Sequence, residues 1–355
     1  SVKNLQDLIV KSAECYGEKS FLRERAGKAD KDTSFAQLLA DCRRTASFLN
    51  ERSGGRRIHC AVIGLTSSAY LTAYFGTVIG GNVIVPLDAQ MGAEDLCDHL
   101  NRSDSEVLFY DKRYAAFIPA VRENCPNINT YVCMQDDPKQ EDVFFMPQIL
   151  EENAPMEELP AIDEKSCAAI VYTSGTTGKS KGVMLSHANL IDNTMCQDNE
   201  STPEDVLLTV LPIHHVYCFT CDILLSLRYG TTVCVNDSMM HIAQNLKRYE
   251  PSIILLVPMI AETIYKKIQA ASASMPDVPL AAISRGVFGK NIRGIYSGGA
   301  YLNPELSNAY SALGIPIAQG YGMTECAPII TFDDWKTARL YSCGKCVPNI
   351  ELKID

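Results

Sequence analysis

Cys60-Ala-Val-Ile-Gly64-Leu-Thr-Ser-Ser-Ala-Tyr70-Leu-Thr-Ala-Tyr-Phe-Gly76-Thr-Val-Ile-Gly80-Gly-Asn-Val-Ile-Val-Pro-Leu87 runs for 28 residues without a charge, and its reading decides the fold. Length alone would let it span a bilayer as one helix. Its interior argues otherwise. Gly64, Gly76, Gly80, Gly81 and Pro86 interrupt it, and Thr66, Ser67 and Ser68 form a polar break. The run therefore resolves into a strand, a helix, a Gly-Gly turn and a returning strand. A buried α/β unit accounts for the whole stretch.

The same alternation continues on both sides. Upstream, Phe35, Leu38, Leu39, Cys42, Ala46 and Leu49 recur at helical spacing, with Ser34 as N-cap and Gly54 past the end. Strands are expected at 58–64, 82–86, 107–110 and 131–134, with helices at 68–79 and 94–102. A second series places strands at 206–210, 232–235, 253–257, 294–297 and 315–319. Helices at 216–229, 242–249, 259–271 and 305–313 separate them. Repeated βα units imply an α/β fold with two mainly parallel sheets covered by helices. Between the series, residues 135 to 164 hold ten acidic side chains, one lysine and four prolines, which reads as a surface excursion.

Thirty-two Lys and Arg stand against 42 Asp and Glu over 355 residues, a net charge of −10, with 46% hydrophobic residues. That composition excludes a disordered or collagen-like chain. The acidic balance argues against nucleic acid as a partner and against electrostatic attraction to anionic lipid. The opening SVKNLQDLIVKSAECYG has no apolar signal core, so a cytoplasmic location is expected. The 14 cysteines then read as reduced, buried small hydrophobes. Cys218/Cys221 and Cys343/Cys346 have the spacing of zinc or dithiol pairs, but the first pair falls in an expected apolar helix. No metal site is assigned to them.

The chemistry lies in Ala168-Ala-Ile-Val-Tyr-Thr173-Ser-Gly-Thr-Thr-Gly178-Lys-Ser-Lys181-Gly-Val-Met-Leu185, where hydroxyls and glycines sit between two apolar runs. Gly178-Lys179-Ser180 imitates a Walker loop, but that motif needs a glycine where Thr173 stands. The segment after Gly182 also reads as a strand, with a helix beginning only near Ser186 or His187. A strand, a Ser/Thr/Gly loop and a returning strand still suit polyphosphate: small residues expose backbone N–H groups, hydroxyls donate and a lysine supplies charge.

Thr173-Ser174-Gly175-Thr176-Thr177-Gly178, followed by Lys181-Gly182, resembles the phosphate-binding motif of the AMP-forming acyl-adenylate enzymes. That superfamily includes acyl-CoA synthetases, luciferases and nonribosomal adenylation domains. Ser180 stands where a proline usually precedes the lysine, which should loosen the loop. Ser297-Gly298-Gly299-Ala300 resembles the backbone wall of the adenine site. Gln319-Gly320-Tyr321-Gly322-Met323-Thr324-Glu325 resembles the Tyr-Gly-x-Thr-Glu motif. Leu211-Pro212-Ile213-His214-His215 resembles the landmark where a ring borders the carboxylate pocket, and Cys218 replaces a frequent glycine just beyond it.

By that resemblance Tyr321 stacks on adenine, Thr324 donates to the α-phosphate, Glu325 holds Mg²⁺, Lys181 supplies charge and His215 borders the acid. These roles fit the residue types: a ring for a base, a hydroxyl where charge grows, a carboxylate for a hard cation. The implied reaction joins a carboxylic acid to the α-phosphorus of ATP, releases pyrophosphate, and passes the acyl group to coenzyme A. The segments at 211–215, 249–258 and 297–306 lean towards medium- or long-chain fatty acids. The alternatives are a non-catalytic acyl- or nucleotide-binding module, and an adenylation domain using another acid or a carrier-protein thiol. Peripheral attachment to lipid also stays open.

The resemblance implies two α/β subdomains, one at 58–197 and the other at 1–55 with 205–332, with the active site in the cleft between them. Residues 335–355 would open a β-barrel subdomain. The family's ribose-binding aspartate, hinge and small C-terminal domain with its lysine have no counterpart here, so this stretch of chain is expected to catalyse poorly alone.

Overall fold

A computed structural model describes residues 1–137, 139–173, 179–336 and 338–354. They form two compact units, Ser1–Ser20 with Thr33–Ile191, and Phe21–Asp32 with Asp192–Asp355.

In the first unit the uncharged run forms strand His59–Ile63, helix Ser68–Ile79 and strand Val83–Leu87. The two strands pair in parallel from His59 opposite Val83 to Ile63 opposite Leu87. The Ser67 hydroxyl accepts from the Tyr70 N–H and starts the helix. Gly81, at φ +81°, turns the chain into the next strand. All of the helix but Ala69 is buried, because Phe35–Ser53 packs along it. Gly76 permits that approach: a Cβ there would lie 2.6 Å from the Thr45 Cβ.

The seven strands of this sheet run in the order Phe144–Phe145, Thr130–Cys133, Val107–Tyr110, His59–Ile63, Val83–Leu87, Cys167–Thr173 and Lys181–Ser186. All pairs are parallel except the last, an antiparallel hairpin. The acidic segment is thus more than a surface excursion. Phe144–Phe145 adds an edge strand, and the following helix Met146–Glu152 buries Met146 and Ile149.

The second unit carries nine strands in the order Lys345–Cys346, Ile329–Phe332, Ile317–Gly322, Gly294–Ser297, Ile253–Leu256, Val206–Thr209, Thr232–Val235, Ser20–Ala26 and Ala29–Ser34. Pairing is parallel from Ile317–Gly322 through Ser20–Ala26 and antiparallel at the Lys345–Cys346 end. Among the described residues no helix is long and apolar enough to cross a membrane.

Two expectations are corrected. Residues 1–20 and 33–55 belong with the first unit, not the second, because helices Leu5–Tyr16 and Phe35–Ser53 cover Ser68–Ile79. Only the strand segment 21–32 joins the second unit, where Leu22 pairs with Val233. The chain changes unit between Ile191 and Asp192, inside helix His187–Cys196 rather than after 197. In residues 335–355, strand Lys345–Cys346 extends the second sheet by pairing with Ile329–Phe332. Trp335 anchors that segment, stacked on Tyr296 at 4.6 Å and donating its Nε1–H to the Ile295 carbonyl at 3.0 Å.

Candidate active site

In the second unit, strands Val206–Thr209, Ile253–Leu256, Gly294–Ser297 and Ile317–Gly322 are parallel neighbours, so their carboxyl ends share one edge of the sheet. Open α/β sheets bind ligands at such an edge. The segments at 211–215, 297–300 and 319–325 all leave or end strands there.

A cavity of about 400 Å³ opens among them, and His215, Gly299, Gly322 and Thr324 line it. Leu211, Val216, Val257 and Ile329 make its apolar wall. That volume falls within the range of small-molecule sites. Two glycines shape it by necessity: Gly299 sits at φ +78°, and a Cβ on Gly322 would collide with the Pro328 carbonyl.

The remaining expected residues lie close in sequence but off that wall. Gly298 is buried beneath the ring of Tyr217. Ala300 and Glu325 are exposed, and Tyr321 is 50% exposed. Thr324 and Glu325 stand on the one-turn 3₁₀ helix Thr324–Cys326, after the strand that carries Tyr321. The charge of Glu325 adds to burial in pushing up the Cys326 thiol. His215 stands beside His214, ring centroids 4.1 Å apart.

The hydroxyl-and-glycine hairpin belongs to the first unit. Thr173 and Lys181 face each other across its base, Thr173 half-buried and Lys181 exposed. Ser174, Gly175, Thr176, Thr177 and Gly178 lie outside the described residues. The looser loop expected from Ser180 concerns residues 174–178, outside the described residues, while Ser180 itself is bonded at the base. Its Oγ shares a 2.6 Å hydrogen bond with His99 Nε2, and its carbonyl accepts from Arg102 at 2.7 Å. On the other strand, Tyr172 donates to the His99 carbonyl at 3.0 Å and stacks on the His99 ring at 3.9 Å. Helix Ala93–Arg102 therefore holds both ends of the loop. Burial lowers the His99 pKa. Sequence reasoning missed His99 and Arg102, and the only available signal was a basic last turn on that helix.

Cys218 and Cys221 are buried in the helix that begins at Val216, and burial pushes both thiols well up. Cys343 and Cys346 are exposed. Residues Phe219–Leu224 form a π-helical turn inside what was expected to be one regular helix.

The cavity lies at the carboxyl ends of parallel strands, beside turns that carry Gly299 and Gly322. The family model described as AMP-binding enzyme matches residues 9–355, and the chain belongs to that family. It is 28% identical over 351 residues to 4-coumarate--CoA ligase 3 of Arabidopsis thaliana, covering 92% of this chain and 58% of that protein. It is 26% identical to the long-chain-fatty-acid--CoA ligase of Thermus thermophilus, again covering 92% of this chain and 58% of the relative. The chain thus spans about three-fifths of the length of these curated relatives. Its fold resembles the anthranilate CoA ligase AuaEII in complex with anthranoyl-AMP, with a TM-score of 0.85, 19% identity and coverage of 99% and 65% of the two chains. It also resembles the N-terminal domain of FACL13 from Mycobacterium tuberculosis, with a TM-score of 0.79, 22% identity and coverage of 98% and 83%.

Proposed function

We propose that the protein activates a carboxylic acid with ATP, forming acyl-AMP and releasing pyrophosphate, and then passes the acyl group to coenzyme A. The observation that carries this reading is the convergence of His215, Gly299, Gly322 and Thr324, from three separate segments, on one cavity wall. Membership of the AMP-binding enzyme family supports it.

Two anions must meet, so the protein's task is positioning and charge neutralisation. Thr324 donates to the α-phosphate oxygen where charge grows, and His215 borders the acid's carboxylate. Tyr321 offers its ring to adenine, with the backbone of Gly298, Gly299 and Ala300 as one wall of that site. Thr173, Ser174, Gly175, Thr176, Thr177 and Gly178 supply hydroxyl and N–H donors to the β- and γ-phosphates, and Lys181 supplies positive charge.

The magnesium ion implied by the family fits Glu325, whose exposed carboxylate stands one residue from Thr324. Magnesium commonly takes one or two protein carboxylates and completes its shell with phosphate oxygens and water. When bound, it supplies charge neutralisation to the triphosphate.

The acid is a medium- or long-chain fatty acid on the sequence reading. The relatives are named for coumarate as well as for long-chain fatty acids, and the apolar wall suits any acid with a substantial hydrocarbon body. A reducing, cytoplasmic setting suits 14 free cysteines.

The test is acid-dependent ATP turnover by the intact protein, with the nucleotide product identified. AMP and pyrophosphate are expected. ADP as product would overturn the reading, and nucleotide binding without turnover would favour a binding module.

A further inference from the structure

Beside the larger cavity lies an internal one of about 20 Å³, and the two share Tyr217, Gly320 and Ile329 as common walls. Its volume is that of roughly one or two oxygen-sized groups. Asp222 and Ser297 line it, and both are buried, at 0% and 2% exposure. Asp222 Oδ2 accepts from the Thr209 hydroxyl at 2.7 Å, whereas Oδ1 has no hydrogen-bond partner. Ser297 Oγ has none either.

Two neighbouring amide side chains on this wall are already engaged. Gln197 donates to Asn193 and accepts from the Cys221 thiol. Asn199 Oδ1 accepts from the Ser201 N–H, and its carbonyl accepts from Tyr296. A buried carboxyl oxygen and a buried hydroxyl are thus left over at one small cavity. Leaving such groups unmet is costly, so each calls for a partner. The π-helical turn Phe219–Leu224 that carries Asp222 is a kind of irregularity that recurs at functional sites.

We propose that this small cavity is the far end of the acid site and that Asp222 and Ser297 receive a hydroxyl at the distal end of the acyl group. A hydroxyl matches the pair, since it donates to the carboxyl oxygen while accepting from serine. The acid selected is therefore one whose hydrocarbon body ends in a hydroxyl, aromatic or aliphatic, rather than in a methyl group. The inference rests on reading the larger cavity as the acid site. Burial raises the Asp222 pKa to about 7, which disfavours a full negative charge there.

The test is titration calorimetry of the intact protein with acyl-sulfamoyl adenosines, non-hydrolysable mimics of acyl-AMP. Two pairs are compared: 3-(4-hydroxyphenyl)propanoyl against 3-phenylpropanoyl, and 8-hydroxyoctanoyl against octanoyl. At least one hydroxylated member is expected to bind about 10-fold or more tightly than its partner, because a site with buried polar groups penalises the ligand that leaves them unpaired. Asp222→Leu should reduce that ratio to about 1, and Ser297→Ala should reduce it in part. Asp222→Asn, which keeps shape and an acceptor, provides the comparison if the leucine variant fails to fold, and should retain part of the ratio. Equal binding of hydroxylated and plain members overturns the hydroxyl assignment alone. If no mimic binds, the acid-activation reading falls with it.

Discussion

The ring of Tyr217 rests on the backbone at Gly298, so closely that a Cβ at 298 would stand 2.7 Å from its Cζ and hydroxyl oxygen. Tyr217 borders both cavities. Gly298→Ala should displace that ring, lower stability by about 1–3 kcal/mol and weaken binding of an acyl-AMP mimic. Tyr217→Ala in the same chain should recover part of the stability loss, since the two residues are in contact. A double-mutant cycle by chemical denaturation measures the coupling, and strictly additive effects would contradict it.

Glu325 and Thr324 lie on one short turn that buries none of its residues, and they support little of the fold. Glu325→Gln and Thr324→Val should each slow acid-dependent ATP–pyrophosphate exchange by about 10²–10³. Melting temperatures should stay within a few degrees of the parent. Exchange at the parental rate in either variant would remove that residue from the proposed reaction.

Asp222 makes stability depend on pH. Its folded pKa of about 7 exceeds the unfolded value near 4, so the native state holds a proton that the unfolded chain has released. Stability should fall as pH rises from about 4 to about 7 and level off above that. Asp222→Asn should remove this component, on the order of a few kcal/mol, visible as denaturation midpoints that diverge from the parent's across that window.

His187 has the opposite sign. Burial, with the Arg57 charge, lowers its pKa to about 4, and its Nδ1 accepts from the Leu5 N–H at 3.4 Å. The unfolded imidazole takes a proton below about 6.5 while the native one does not. Stability should decline as pH falls from about 6.5 to 4, by about 3 kcal/mol in all. His187→Gln should flatten that decline in midpoints measured on the first unit.

Arg102 holds the Ser180 carbonyl and stands over the ring of Tyr172 at 5.4 Å. Arg102→Ala should raise the nucleotide KM more than it lowers kcat, because it frees the base of the loop without removing a donor from it. A change confined to kcat would show that the clamp does not position the loop.

The local pattern of this chain was legible because it depends on near neighbours. Ser34 and Ser67 cap helices, Gly54 ends one at φ +61°, and the hairpin of Cys167–Thr173 with Lys181–Ser186 forms where apolar runs flank small residues. The cavity residues His215, Gly299, Gly322 and Thr324 were legible through motifs of distinctive composition. Tyr217 and Asp222 were not, since an aromatic ring or one acid in an apolar helix has no distinctive local signature.

What the sequence by itself determined is the alternation of strands and helices, because side-chain period, caps and glycines act within a few residues. Only the tertiary structure decided that residues 33–55 join the first unit, that Lys345–Cys346 extends the second sheet, and that Asp222 and Ser297 line one cavity. Those outcomes depend on strand pairing and burial between residues far apart in the chain, which local periodicity does not specify.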